Sequence, residues 1–127
     1  MLKPKVVSQV LRQATTGGVE ATLLLNSEGS LLAFAANSDR EAKVYAAIAS
    51  NVWSTYERCG KAIYENEELK LMLIECEEGK VAITTVSNMV LCLVGQGSIE
   101  FGLLRAKANA LTKHLEEPLK RVNYQSA

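Results

Sequence analysis

Apolar residues recur along this chain with two different periods. Ala42, Tyr45, Ile48, Ala49, Val52, Trp53 and Tyr56 return every three or four residues, the spacing of a helix face. Ser38 and Glu41 stand ahead of them at the Ser-x-x-Glu spacing of a capping box, which satisfies free amides at a helix start. Gly60 supplies the predicted stop, since glycine tolerates the left-handed conformation that follows a helix. On a wheel of about 100° per residue, Val44 and Ala46 widen the apolar stripe to roughly half the circumference. A helix that covers only its own sheet needs about 100°, so this pattern predicts two buried surfaces on one helix. The next apolar run, Leu69-Lys70-Leu71-Met72-Leu73-Ile74, shows the same excess. It reads as a strand apolar on both faces with one internal charge.

The remaining pattern supplies the frame. Val6, Val7, Val10, Leu11 and Ala14 predict a short amphipathic helix with Pro4 near its start, where a missing N–H is harmless. Thr15 to Gly18 ends it. Val19 to Leu25 and Leu31 to Ala35 predict a hairpin closed by Asn26 to Gly29, a turn in which Gly29 is free to take positive φ. Glu77 to Lys80 predicts a second hairpin turn and Ser87-Asn88 a third, bounding strands at 69–74, 81–86 and 89–94. Ser98 is the expected cap of a last helix whose stripe is Leu104, Ala108, Leu111 and Leu115, with Pro118 as its end. The order is helix, two strands, helix, three strands, helix. The most apolar strands, starting at Val19 and Met89, belong at the centre. The strands at Leu31 and Leu69 then form the edges. An apolar edge with little charge invites pairing. The wide helix stripe and this edge together predict a docking surface on the order of 1,600 Å², with Trp53 and Tyr56 as its aromatic anchors.

The chain of 127 residues is the size of one domain, and the sequence predicts a loosely held tail from about residue 119. Lys plus Arg and Asp plus Glu are 14 each, so no net field attracts nucleic acid or an anionic membrane. No apolar run approaches the roughly 20 residues that span a bilayer. The start Met1-Leu2-Lys3-Pro4 has neither a signal-peptide core nor a myristoylation glycine. Cys59, Cys76 and Cys92 are odd in number and widely spaced. Free thiols that pack as small apolar residues explain them better than a metal or redox site.

Candidate chemistry is sparse. His114 is the single histidine, and a metal site needs several ligands. Gly95-x-Gly97 opens a dinucleotide fingerprint that fails at Glu100. The glutamates at 65, 67, 68, 75, 77 and 78 match no calcium loop. No constellation meets the geometric needs of catalysis, and no cofactor or metal is expected. Arg105, Lys107 and Lys113 line the last helix as a solvated face.

The run from Gly18 to Ala33, GVEATLLLNSEGSLLA, resembles the hairpin of the roadblock (dynein light chain) family, and most closely its scaffold branch in the Ragulator (late endosomal/lysosomal adaptor) complex. Residues 46–53, 78–84, 107–111 and the Leu115-Glu116-Glu117-Pro118-Leu119 segment continue the likeness over nearly the whole chain. The chain departs from that pattern in residues 60–68, at Tyr45 and after Pro118. The resemblance implies an α+β fold, αββαβββα, with a five-stranded antiparallel sheet in the order 2-1-5-4-3, one helix on one face and two on the other. It implies a non-enzymatic scaffold that forms a heterodimer with a second roadblock-fold subunit through the middle helix and third strand. The interface would then use Tyr45, Ile48, Ala49, Val52, Trp53, Tyr56, Leu69, Leu71, Met72, Leu73 and Ile74. It further implies peripheral attachment to late endosomes and lysosomes through a lipidated subunit, with Rag GTPases and MAP-kinase pathway proteins as partners in amino-acid signalling to the mTOR complex. A homodimeric regulator of a small GTPase, or a motor light chain, is the alternative within the same family.

Overall fold

The computed structural model describes residues 4–63 and 69–121. Its elements run α1 (Pro4–Ala14), β1 (Val19–Leu25), β2 (Leu31–Ala35), α2 (Asp39–Ile63), β3 (Leu71–Glu75), β4 (Gly79–Val86), β5 (Met89–Gln96) and α3 (Phe101–Arg121). The strands form one antiparallel sheet in the order β2-β1-β5-β4-β3. The fold is the α+β arrangement that the sequence predicts. The two most apolar strands, β1 and β5, are neighbours inside the sheet, because only there can both of their faces be covered.

Alternation along the strands divides the core in two. Val19, Leu24, Leu91 and Leu93 face Val7 and Leu11 of α1 and Leu104, Ala108, Leu111 and Leu115 of α3. Ala21, Leu23, Leu25, Val90 and Cys92 face Ala42, Ala46, Ala49 and Trp53 of α2. One helix therefore covers one face and two cover the other. Polar contacts fix the corners. Asn26 Oδ1 accepts from the amides of Glu28 and Ser30 at 3.0 and 2.9 Å, and Gly29 takes a φ of 92°. Ser87 and Asn88 both have positive φ, 54° and 75°, the signature of a two-residue type I′ turn.

The structure corrects four boundaries. Gly60 does not stop α2, which runs to Ile63, and Gly60 is not among the residues with positive φ. Glycine permits a helix end without requiring one; inside a helix it costs only about 1 kcal/mol relative to alanine. The irregular connection expected over residues 60–68 is thus helical at its start, and residues 64–68 lie outside the described residues. The third strand begins at Leu71 rather than Leu69 and reaches Glu75. Thr84 Oγ1 donates to the Lys70 carbonyl at 2.6 Å, just ahead of the Leu71–Thr84 register pair.

Ser98 is not the cap of α3. Residues 96–99 form a turn, with the Ile99 amide donating to the Gln96 carbonyl at 3.0 Å. Ile99 is thereby buried, and the first helical carbonyl belongs to Glu100, which accepts from Leu104. Pro118 does not end α3 either; the helix continues to Arg121. Leu119 lies on the buried stripe with Leu115 and is 2% exposed. Burying a leucine stabilises by about 1.5–3 kcal/mol, comparable with the roughly 3 kcal/mol cost of a proline within a helix. Residue 119 therefore belongs to the core, and residues 122–127 lie outside the described residues.

Candidate partner-docking surface

Helix α2 begins as its sequence predicts. The Glu41 amide donates to Ser38 Oγ at 3.1 Å, satisfying one free amide of the first turn. The Glu41 side chain does not complete the box by turning back. Its Oε1 accepts from the Tyr45 hydroxyl at 3.0 Å, one turn onward. Burial raises the Tyr45 pKa above its usual 10.0, and the hydrogen bond and charge of Glu41 push it the same way.

The helix carries two apolar lines. Ala42, Ala46, Ala49 and Trp53 form the inner line against the sheet, and Trp53 is only 4% exposed. Val44, Ile48, Val52 and Tyr56 form the outer line; Ile48 is 57% and Tyr56 60% exposed, with Val52 half-buried. Tyr45, also half-buried, lies between them. Three small residues and the large Trp53 together fill the space between the helix and the sheet. Among the described residues nothing covers the outer line.

The residues expected at the surface therefore separate. Ala49 and Trp53, both expected at the interface, pack in the chain's own core beneath the outer line. Ile48, Val52, Tyr45 and Tyr56 remain accessible to different degrees. Along β3, Met72 and Ile74 pack partly against the α2-side core, as does Leu69 ahead of the strand. Leu71 and Leu73, paired with Thr84 and Ala82, point to the opposite face, and Leu73 is exposed. Helix α2 lies mainly across β1, β2 and β5. The α2 side of β3 and β4 is left as a half-buried apolar shelf of Met72, Ile74 and Val81. Val44 was absent from the expected set, yet it is 52% exposed at the head of the outer line. Its spacing of four from Ile48 and eight from Val52 was the available signal.

Elsewhere the polar residues are dispersed. His114 and Lys113 are exposed on α3. Cys59 and Cys76 are exposed free thiols, whereas Cys92 is buried and its thiol is pushed up to about 12 by burial. Among the described residues, no group of three or more His, Cys, Asp or Glu stands close enough to hold a metal ion. An exposed apolar helix line can bury hydrophobic area, and an edge strand such as β3 can extend a ladder of backbone hydrogen bonds.

Comparison with known proteins agrees with this architecture. Residues 5–95 match the Roadblock/LC7 domain. The chain is 32% identical over 127 residues to the Ragulator complex protein LAMTOR2 homolog of Caenorhabditis elegans, covering 98% of each chain. It superposes on Myxococcus xanthus MglB with a TM-score of 0.83 at 17% identity, covering 97% of this chain and 95% of that one. A Roadblock/LC7 domain from Streptomyces avermitilis gives a TM-score of 0.79, also at 17% identity, covering 91% of this chain and 96% of that one. At such identities the two structures speak for the fold alone, while the family match and the nematode relative speak for descent. The chain belongs to the Roadblock/LC7 family.

Proposed function

We propose that this chain is a non-enzymatic scaffold subunit of a Ragulator-like complex, working as one half of a heterodimer with a second roadblock-fold subunit. The relation to the nematode Ragulator protein supports the complex. The pairing rests on one observation: Ile48 and Tyr56 are more than half exposed on an apolar line of α2, in a fold whose edge strand β3 carries Leu71 to Ile74. A partner helix laid on Tyr45, Ile48, Val52 and Tyr56 would remove that line from water. A partner strand along β3 would satisfy its unpaired backbone groups and cover Leu69, Leu71, Met72, Leu73 and Ile74. Ala49 and Trp53 act from beneath, by holding the helix at its height above the sheet. A stable pair of this kind buries on the order of 1,600 Å².

In this reading the pair is a platform. It recruits Rag GTPases and MAP-kinase pathway proteins to late endosomes and lysosomes in amino-acid signalling to the mTOR complex. Membrane attachment comes from a separate lipidated subunit, and any nucleotide-exchange activity belongs to the assembly. The test is the mass of the purified full chain in solution, alone and mixed with a second roadblock subunit. A one-to-one complex that displaces any self-associated form supports the scaffold. A stable homodimer indifferent to the second subunit favours a homodimeric regulator, and a monomer indifferent to it overturns the proposed surface.

A further inference from the structure

The outer line of α2 carries one charge at its head. On a wheel of about 100° per residue, Glu41, Ile48, Val52, Thr55 and Cys59 fall within about 40° of one direction. The cations of the helix up to residue 59, Arg40, Lys43 and Arg58, lie at least about 100° from that direction. Glu41 is half-buried in the first turn, at the other end of α2 from residue 63. Its carboxylate is held in place: Tyr45 packs against the α2-side core and donates its hydroxyl to Glu41 Oε1 at 3.0 Å. The charge of Glu20, from β1, reaches the same hydroxyl. A fixed negative charge therefore stands beside Val44 and Ile48, which are both more than half exposed.

We propose, building on the heterodimer reading, that Glu41 sets the specificity of this docking line: it admits a partner helix that brings a lysine or arginine to it and rejects a second copy of this chain. A helix docked on Tyr45, Ile48 and Val52 takes Glu41 out of water, and a carboxylate that loses water needs a hydrogen-bonded cation in exchange. A second copy does not supply one. Laid parallel, its Glu41 meets Glu41, and like charges repel across an interface. Laid antiparallel, its Glu41 meets the C-terminal end of the line, where Thr55 and Cys59 are neutral and the helix dipole is negative. A lysine or arginine in the last turns of an antiparallel partner helix satisfies both the carboxylate and that dipole. Tyr45 is a positioning residue, since its hydroxyl holds the carboxylate on the line.

Sedimentation equilibrium of the full chain and of Glu41→Gln tests this, each alone and each with a second roadblock subunit. Glutamine keeps the shape and still accepts from Tyr45, so thermal melts of the two should coincide. Glu41→Gln should tighten self-association at least about fivefold and weaken binding to the second subunit at least about fivefold. A residue with a merely structural role moves both in the same direction. Raising NaCl from about 0.05 to about 0.5 M should weaken the wild-type heterodimer, and weaken that of Glu41→Gln less. Tyr45→Phe keeps the ring, releases the carboxylate and should weaken the heterodimer about threefold; unchanged binding overturns the positioning role. Self-association that is equal in wild type and Glu41→Gln, or tighter in wild type, overturns the rejection of a second copy. Equal binding of both to the second subunit overturns the demand for a cation. A wild-type chain that does not bind the second subunit overturns the heterodimer reading instead, and the self-association of Glu41→Gln still decides the rejection of a second copy.

Discussion

Lys80 Nζ donates to the backbone carbonyl of Ile99 at 2.7 Å, tying the start of β4 to the turn that launches α3. The ammonium also lies 5.0 Å from the centre of the Phe101 ring and 4.0 Å from Glu75. Its side chain is only 12% exposed, so these contacts are sheltered from water. Lys80→Met keeps the stem and removes the charge. The expected loss is about 2 kcal/mol, the scale of a hydrogen bond with a charged donor. A lower urea midpoint with an unchanged slope would show it; an unchanged midpoint would mean the contact contributes nothing.

The two lines of α2 separate folding from association. Trp53→Ala empties the α2-side core and should destabilise the chain by about 3–5 kcal/mol. Ile48→Asp and Tyr56→Ala remove outward groups and should leave the chain's own melting nearly unchanged. They should weaken binding to a second roadblock subunit at least about tenfold. Light scattering and thermal melts on the same three variants check both halves, and normal partner binding by Ile48→Asp would remove α2 from the interface.

Two glycines should respond in opposite senses to alanine. A Cβ on Gly60 meets nothing within 4 Å, so Gly60→Ala should stabilise by about 0.5–1 kcal/mol through helix propensity. At Gly29 the φ is 92° and a Cβ would come 2.6 Å from Ser50 Oγ. Gly29→Ala should cost about 1–3 kcal/mol. Denaturant melts of both variants give the signs directly.

The end of α3 offers a similar contrast. Pro118→Ala restores an amide that can reach the carbonyl one turn earlier, and should stabilise by up to about 3 kcal/mol. Leu119→Ala should cost about 2–4 kcal/mol, because the side chain is buried. A neutral Leu119→Ala would mean that the last turn contributes no packing.

The three thiols should differ in reactivity and in pH response. Cys59 and Cys76 should react at once with a soluble thiol reagent, and Cys92 only on unfolding. Burial raises the Cys92 thiol from 9.0 to about 12, so the folded state holds that proton more tightly than the unfolded state. This contribution is fully present below about pH 9 and is lost as pH rises through about 12. The raised Tyr45 hydroxyl acts in the same direction. Urea midpoints should therefore fall in alkali, and fall less steeply in Cys92→Ala.

Local chemistry in the sequence determined most of the frame. Continuous apolar runs marked β1 and β5 as central, turn residues closed the three hairpins, and the Ser38 cap opened α2. Each depends on neighbours within a few residues, so each can be read along the chain. The excess of apolar surface on α2 was legible in the same way. Which line would face inward was not, because a helical wheel gives the angle between Trp53 and Tyr56 but not where the sheet lies. Packing decided it: the close alanines and Trp53 fit the space above β1 and β5, and left Ile48 and Tyr56 outside. The sheet likewise divided β3, sending Met72 toward α2 and Leu73 away. At α3, burial of Leu119 carried the helix past Pro118. In each case the outcome depends on volume and burial across elements distant in sequence, which only the assembled fold brings together.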